Sequence, residues 1–113
     1  MMKIVEKPWG RELWVAQSNE YVMKIIEIKA GTRPSLQYHR IKHEHIYVDQ
    51  GLVRFELEQP DGTMSVQEYG PGVVIEVIPG RKHRVSAIQD TRLLEVSTPQ
   101  LDDVVRVEDD YGR

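Results

Sequence analysis

The segment from Gly31 to Gly51 reads GTRPSLQYHRIKHEHIYVDQG and holds three of the four histidines of the chain. Gln37 and His39 are two residues apart, so on a β-strand both side chains project from the same face. Glu44 follows after a short bend, at the start of the apolar run Ile46-Tyr47-Val48. A histidine cluster beside a turn is compatible with a metal site, and equally with histidines that make only core or surface contacts. The spacing favours the metal site.

A further candidate ligand lies later in the chain. His83 follows the turn at Pro79-Gly80 and begins another predicted strand. With the first segment it completes a candidate set of two imidazoles, one carboxylate and one amide oxygen, namely Gln37, His39, Glu44 and His83. Such a set suits one divalent ion, either Zn, Fe, Mn, Co or Ni. Four protein ligands leave room for water or substrate, and catalysis requires such an open position.

The hydrophobic pattern has a period of two along most of the chain. Within 21–29, one predicted strand face carries Val22, Lys24, Ile26 and Ile28. Turn signals separate such runs, and the strongest is Gln59-Pro60-Asp61-Gly62-Thr63. Short strands divided by turns every eight to twelve or so residues predict an all-β sandwich or barrel. We expect one domain over 1–113, with an N-terminal arm at 1–20, a barrel at 21–98 and a C-terminal tail at 99–113.

Composition excludes several classes of function. The 113 residues include 15 basic and 18 acidic side chains, with a formal charge of −3, so a nucleic-acid partner is not expected. The absence of cysteine excludes disulfides, thiolate nucleophiles and cysteine zinc sites. No apolar run has the length of a signal peptide or a membrane span, which predicts a cytoplasmic location without a membrane partner. We expect a homodimer, because barrels of this kind commonly pair a remaining sheet edge across two copies.

Two motifs, in this order, resemble those of the cupin family. The first is Gly31-x5-Gln37-x-His39-x4-Glu44-x6-Gly51, with glutamine in place of the first histidine of the family motif. The second is Gly72-x5-Ile78-x-Gly80-x2-His83, with Ile78 where proline is usual and Ala87 where asparagine is usual. The resemblance implies a double-stranded β-helix, or jelly-roll barrel, with a metal ion in its interior.

Among cupins, the chain is similar to the phosphomannose isomerase domain that ends bifunctional mannose-1-phosphate guanylyltransferase/mannose-6-phosphate isomerase enzymes. Four stretches carry the similarity: Lys7-Pro8-Trp9-Gly10, then Ser35-Leu36-Gln37-x-His39 with Glu44-His45, then Lys82-His83-Arg84, and finally Asp102-Asp103-Val104-Val105-Arg106 with Asp109-Asp110-Tyr111-Gly112-Arg113. The similarity implies metal-dependent conversion of mannose 6-phosphate to fructose 6-phosphate. It also implies that Gln37, His39, Glu44 and His83 hold the metal.

Several positions depart from those isomerase domains near the sugar pocket. Ile41, Lys42 and Ile46 stand where the domains usually carry His, Arg and Trp, and the loop at 97–100 looks shorter and lacks a Gly and a Tyr. The 113 residues hold no counterpart of the guanylyltransferase domain, so nucleotide transfer is not expected. The alternatives are a metal cupin acting on another sugar or nucleotide-sugar, a non-catalytic sugar-binding cupin, and a dioxygenase.

An aldose–ketose isomerase also needs a cation for the phosphate and a base. The leading candidate cation is Lys24, which either points into the interior or snorkels to water from a barrel mouth. The further candidates, each of them also explained as a surface charge, are Arg33, Lys82, Arg84 and Arg106. Arg106 and Arg113 gain support from their place in the terminal motif. Candidate bases are His45, Glu95 and Tyr38. His45 and Tyr38 directly neighbour predicted ligands, so on a regular strand they face away from the metal. Glu95 reaches the cavity if its neighbours face the opposite way, and otherwise it is an exposed strand carboxylate.

Overall fold

The computed structural model describes residues 2–113, and every regular element in that range is a β-strand. Met1, the first residue of the predicted N-terminal arm, lies outside the described residues. Between residues 2 and 113 there is no helix with the length and apolarity needed to cross a membrane. The strands are β1 (Lys3–Lys7), β2 (Gly10–Gln17), β3 (Val22–Ile28), β4 (Leu36–Tyr38), β5 (Glu44–Gln50), β6 (Val53–Glu58), β7 (Met64–Tyr69), β8 (Val74–Val77), β9 (His83–Ala87), β10 (Thr91–Ser97) and β11 (Val105–Glu108).

The strands form two antiparallel sheets. The larger sheet has six strands in the order β1-β2-β3-β10-β5-β8, and the smaller has five in the order β11-β4-β9-β6-β7. Late strands insert between early ones, so β10 lies between β3 and β5, and β9 lies between β4 and β6. The predicted all-β architecture is confirmed.

The side chains that alternate inward from both sheets build one core. On β3, Val22, Lys24, Ile26 and Ile28 are buried, and the residues between them are partly exposed, as the period of two predicts. Burying this much aliphatic surface is the main term that stabilises such a fold. The core includes side chains from both sheets: Trp9, Ile26, Ile28, Ile46, Val48, Val53, Phe55, Ile75, Val77, Ala87 and Leu93.

The inward positions change from apolar to charged along the barrel. In the middle of the larger sheet, Ile26 of β3 lies opposite Leu93 of β10. Two residues further along β10, Glu95 lies opposite Lys24. Glu44, at the first position of β5, is also inward and buried. One end of the barrel interior is therefore polar, and the candidate site lies there.

Both terminal segments are part of the sheets. β1 and β2 both lie within the predicted arm at 1–20, and β2 pairs along β3. β11, within the predicted tail at 99–113, pairs with β4, the strand that carries Gln37. The two sheets thus extend on both sides of the predicted barrel at 21–98, and residues from both termini reach the polar end.

Gly10 allows β2 to approach β3 closely. A Cβ atom at this position would lie 2.0 Å from the carbonyl oxygen of Glu27. Beside this contact, the amide of Lys29 donates a hydrogen bond of 3.0 Å to the carbonyl of Trp9. Any side chain at residue 10 would force the strands apart, which explains why glycine follows Trp9.

Candidate metal centre and its cavity

Three of the four predicted ligands converge inside the polar end of the barrel. His39 directly follows β4, Glu44 begins β5 and His83 begins β9. The Nε2 atoms of His39 and His83 each lie 3.3 Å from Oε1 of Glu44. The three residues are 1%, 2% and 5% exposed for His39, Glu44 and His83, so little solvent competes for these atoms.

The other ring nitrogen of each imidazole is engaged by a backbone carbonyl. Nδ1 of His39 donates to the carbonyl of Asp103 at 2.5 Å, and Nδ1 of His83 donates to the carbonyl of Arg81 at 3.0 Å. In the neutral imidazole, a proton on Nδ1 leaves a lone pair on Nε2. Such contacts orient the histidine ligands of metal sites.

The donor atoms fit a divalent ion. Nε2 of His39 is buried without a hydrogen-bond partner. Two lone pairs and a carboxylate oxygen directed at one point repel each other unless a cation lies between them. Two imidazoles and a carboxylate suit Zn, Fe, Mn, Co or Ni. His39, Glu44 and His83 are therefore the residues that can hold the ion.

Gln37 borders the same cavity as these three residues. It lies opposite His83 in the pairing of β4 with β9, and its Oε1 accepts a hydrogen bond of 2.8 Å from Oγ of Ser35. An amide oxygen has two lone pairs, so Oε1 can accept this bond and still contribute to a metal. Gln37 as the fourth ligand stays a prediction.

Asp103 holds the bend between His39 and Glu44. Its carboxylate accepts hydrogen bonds from the backbone amides of Arg40, Ile41 and Lys42 at 3.0, 2.6 and 2.9 Å. The hydrogen bonds from the amides of Lys42, Arg40 and Ile41 lower the pKa of the Asp103 carboxylate to about 2. In the sequence, Asp103 was marked only by its place in the terminal motif. More than 60 residues separate Asp103 from the bend that its carboxylate holds.

Lys42 is a buried cation at the centre, although the sequence marked it only as a departure from related domains. Its Nζ lies 3.3 Å from Oε2 of Glu44 and 3.2 Å from Oε2 of Glu95. Burial disfavours its ammonium form, but the carboxylates of Glu95 and Glu44 outweigh this and raise the pKa of Lys42. The contacts of Lys42 place the Glu95 carboxylate beside the candidate ligands.

This environment shifts the pKa values of Glu44 and Glu95 in opposite directions. Burial alone would raise the pKa of Glu44, but its contacts with His39, His83 and Lys42 hold it well below its usual range. Burial and the neighbouring Glu44 carboxylate raise the pKa of Glu95 to about 8, against the opposing effect of Lys42. The site therefore contains one carboxylate suited to holding a cation and one that binds a proton more readily.

A second buried ion pair lies between β2 and β3. Nζ of Lys24 is 3.2 Å from Oε1 of Glu12, and Nε1 of Trp14 donates to the same oxygen at 3.0 Å. The Lys24 ammonium also lies 4.8 Å from the centroid of the Trp14 ring, which favours a cation–π interaction. Lys24 is 6% exposed, so it points into the interior, and the snorkelling alternative is wrong.

These groups surround a cavity of about 430 Å³, a size typical of small-molecule sites. The cations bordering the cavity are Lys7, Lys24, Lys42, Arg106 and Arg113. Lys24 and Lys42 are paired as described, and Nε of Arg113 lies 3.0 Å from Asp109. Within residues 2–113, no carboxylate oxygen lies within 4.0 Å of the charged nitrogens of Lys7 or Arg106. These two can accept an anionic ligand without breaking an ion pair.

The structure corrects the candidates for the base. His45 lies on the outer face of β5, with its side chain 48% exposed, because it directly follows the inward Glu44. The structure therefore does not bring His45 to the cavity, where the base was predicted to act. Tyr38 is not among the residues that border the cavity. Glu95 is inward and 6% exposed, so the interpretation as an exposed strand carboxylate is also wrong.

Comparisons with known proteins agree with this architecture. Residues 1–109 match the family model described as mannose-6-phosphate isomerase C-terminal. The chain is 31% identical over 118 residues to the mannose-1-phosphate guanylyltransferase ManC of Salmonella typhimurium. That alignment covers 100% of this chain and 24% of the relative, so the chain spans about a quarter of the length of the curated relative that it matches.

Similar folds occur among solved cupin structures. KdgF from Halomonas sp. superposes with a TM-score of 0.78 at 19% identity, covering 89% of this chain and 91% of that one. An oxalate decarboxylase from Bacillus subtilis, in a study of its Mn(II) centres, superposes with a TM-score of 0.80 at 15% identity, covering 94% of this chain and 30% of that one. At these identities the likeness establishes the fold alone, and it confirms the predicted jelly-roll barrel. The chain therefore belongs to the family of mannose-6-phosphate isomerase C-terminal domains and has the cupin fold.

Proposed function

We propose that this chain is a metal-dependent sugar-phosphate isomerase that interconverts mannose 6-phosphate and fructose 6-phosphate. The observation that carries the proposal is the convergence of His39, Glu44 and His83 in a cavity that Glu95 and Arg106 also border. Membership of the isomerase family supports it. The Mn(II) centres of the oxalate decarboxylase support a metal in a barrel of this shape.

In this proposal, His39, Glu44 and His83 hold one divalent ion, with Gln37 as the fourth ligand. When bound, the ion supplies positive charge that stabilises the charge developing on the sugar oxygens during isomerisation. The backbone carbonyl of Asp103 accepts a hydrogen bond from His39 and orients its ring, and the Asp103 carboxylate stabilises the bend that follows His39. Trp9, Phe55 and Leu93 form part of the apolar boundary that limits water at the site.

Glu95 is the proposed base. Isomerisation requires that a proton leave C2 of the aldose and that a proton arrive at C1, while a hydroxyl proton moves from O2 to O1. A carboxylate that takes the first proton and returns it to the neighbouring carbon performs both carbon steps. Glu95 borders the cavity, faces inward and is held by Lys42. Glu12, another carboxylate that borders the cavity, is held by Lys24 and Trp14.

Arg106 is the proposed phosphate anchor. It pairs with Gln37 in the register of β11 and β4, so it lies beside the candidate ligands. Among residues 2–113, no carboxylate lies within ion-pair distance of its guanidinium. A guanidinium binds phosphate through two parallel hydrogen bonds, which gives both affinity and orientation. Lys24 is a weaker choice because a phosphate would have to displace Glu12 from it.

We expect Arg106→Ala to raise the KM for the sugar phosphate at least about tenfold, the loss of roughly one charged hydrogen-bond contact. Metal content should not change. The measurement is steady-state kinetics, with Arg54→Ala as a matched control because Arg54 pairs with Glu68 on the smaller sheet and does not border the cavity. An unchanged KM for Arg106→Ala would assign the phosphate to another cation.

Reconstitution followed by an activity assay tests the proposed function. The purified chain is stripped with a chelator, reloaded separately with Mn, Fe, Co, Ni or Zn, and supplied with mannose 6-phosphate in an assay coupled to fructose 6-phosphate. We expect turnover only in loaded samples, and the reverse reaction with the same metal preference. A loaded chain that turns over neither substrate would contradict the proposal and favour a cupin that acts on, or only binds, another sugar.

A further inference from the structure

A cluster of two histidines and one carboxylate lies on the outer face of the larger sheet, opposite the interior centre. It consists of His43, His45 and Glu76. Nε2 of His43 lies 2.8 Å from Oε2 of Glu76, and Nε2 of His45 lies 3.5 Å from the same oxygen. The two imidazole centroids are 5.5 Å apart. Three potential ligand atoms from three side chains therefore meet at one point.

The backbone holds these three side chains in place. His45 on β5 and Glu76 on β8 are direct partners across the antiparallel pair, and β5 is also paired to β10 on its other side. The amide of His43 donates to Oγ1 of Thr98 at 3.0 Å, and its carbonyl accepts from the amide of Thr98 at 3.0 Å. Because the ligand atoms already lie within 4.8 Å of one another, side-chain rotation alone can bring them to coordination distance.

We propose that His43, His45 and Glu76 form a second metal site, at the surface, for a divalent ion that favours imidazole, such as Cu²⁺, Ni²⁺ or Zn²⁺. The chemistry of the ligands supports this: two neutral imidazoles with one carboxylate bind late first-row ions, with Cu²⁺ the tightest. The side chains are 40%, 48% and 52% exposed for His43, His45 and Glu76, so an ion reaches them from solvent. The neighbour of His45 on β10 is Val96, which brings no charge that would compete.

The surface site does not rest on the proposed isomerase activity. It uses the outward residues that flank Glu44, whereas the interior centre uses Glu44 itself. The two sites differ in their surroundings, because the interior ligands are almost fully buried and the surface ligands are about half exposed. We therefore expect the surface ion to exchange faster and to be removed by a chelator first.

A titration with Cu²⁺ tests the site in a chain that carries His39→Ala, which removes an interior ligand. We expect one equivalent to bind by calorimetry, with electron paramagnetic resonance showing two coupled imidazole nitrogens. Adding His45→Gln should weaken Cu²⁺ binding at least about tenfold and leave one coupled nitrogen, since one of the ligands is lost. Glu68→Gln is the control, an exposed strand carboxylate on the smaller sheet.

The proposal would be overturned if the His39→Ala chain gave a Cu²⁺ spectrum without two coupled imidazole nitrogens. It would also be overturned if adding His45→Gln left the Cu²⁺ affinity unchanged. A second measurement covers the case in which His39→Ala does not fold. The chain with an intact interior site should then bind two equivalents of Cu²⁺, and His43→Gln should reduce this to one. Because these surface side chains are about half exposed, their substitution should leave the melting temperature of the metal-free chain nearly unchanged.

Discussion

Replacing His39 with alanine is expected to reduce interior metal occupancy from near one ion per chain to below about one tenth, while the barrel stays folded. His39 supplies one of three converging donor atoms, and water cannot easily replace it because the residue is 1% exposed. The strands are expected to survive, because the apolar core of both sheets lies beside the site and does not include His39.

Elemental mass spectrometry after dialysis measures the occupancy. The His39→Ala chain and the reference chain with His39 intact should both carry His45→Gln, so that the surface cluster adds no metal to the measured content. Tyr38→Phe is the matched control, since Tyr38 neighbours His39 but does not border the cavity. Full occupancy in His39→Ala would refute the assignment of the centre.

A thermal melt gives an independent reading of the same variant. An ion that binds only the folded state stabilises it by about 2.7 kcal/mol when its free concentration is a hundred times its Kd. The chain with His39 intact should therefore melt at a higher temperature with the metal than with a chelator. In the same His45→Gln background, which removes the surface cluster, His39→Ala should melt at one temperature in both buffers.

Replacing Glu95 with glutamine is expected to lower kcat by a factor of about 10² to 10⁴, the range for loss of a general acid–base group. Glutamine has nearly the same shape but cannot take up a proton from carbon. Lys42 would keep its contact with Glu44, so neither folding nor metal content should change greatly. KM should change much less than kcat, because the phosphate anchor remains.

Two measurements separate proton transfer from a structural effect. Steady-state kinetics gives kcat and KM, and NMR in deuterated water follows exchange of the C2 proton of mannose 6-phosphate, which should slow in parallel with kcat. Glu12→Gln is the matched control, a second cavity carboxylate that is paired with Lys24. If Glu95→Gln keeps its metal and turns over at nearly the original rate, the base is another group.

The orientation of Glu95 could not be read from the local pattern. Its neighbours Leu94 and Val96 are apolar, yet both point outward, and Val96 is 51% exposed. The outer face of the larger sheet carries an apolar row in which Leu94 pairs with Ile25 and with Tyr47. Because both faces of β10 carry apolar residues, hydrophobicity alone does not identify the inner one.

The choice among cations also depended on distant residues. The sequence favoured Lys24 through strand parity, and the structure does place it inward. However, the Lys24 ammonium is already paired with the carboxylate of Glu12, which lies on a different strand. Arg106 of β11, which lies beside the metal centre, is therefore the better candidate for binding the phosphate. The sequence around Lys42 and Asp103 did not reveal their roles. Lys42 joins its near neighbour Glu44 to Glu95, which is 53 residues away, and Asp103 accepts hydrogen bonds from a bend more than 60 residues away.

The all-β class and the candidate ligands could be predicted from the sequence, because strand alternation and motif spacing are properties of neighbouring residues. His39, Glu44 and His83 were identified in this way, and the fold brings Nε2 of each histidine to 3.3 Å from Oε1 of Glu44. The pairing of the charged side chains and the addition of both terminal segments to the sheets became evident from the folded chain alone. Those outcomes depend on contacts between strands far apart in the chain, and no local pattern encodes them.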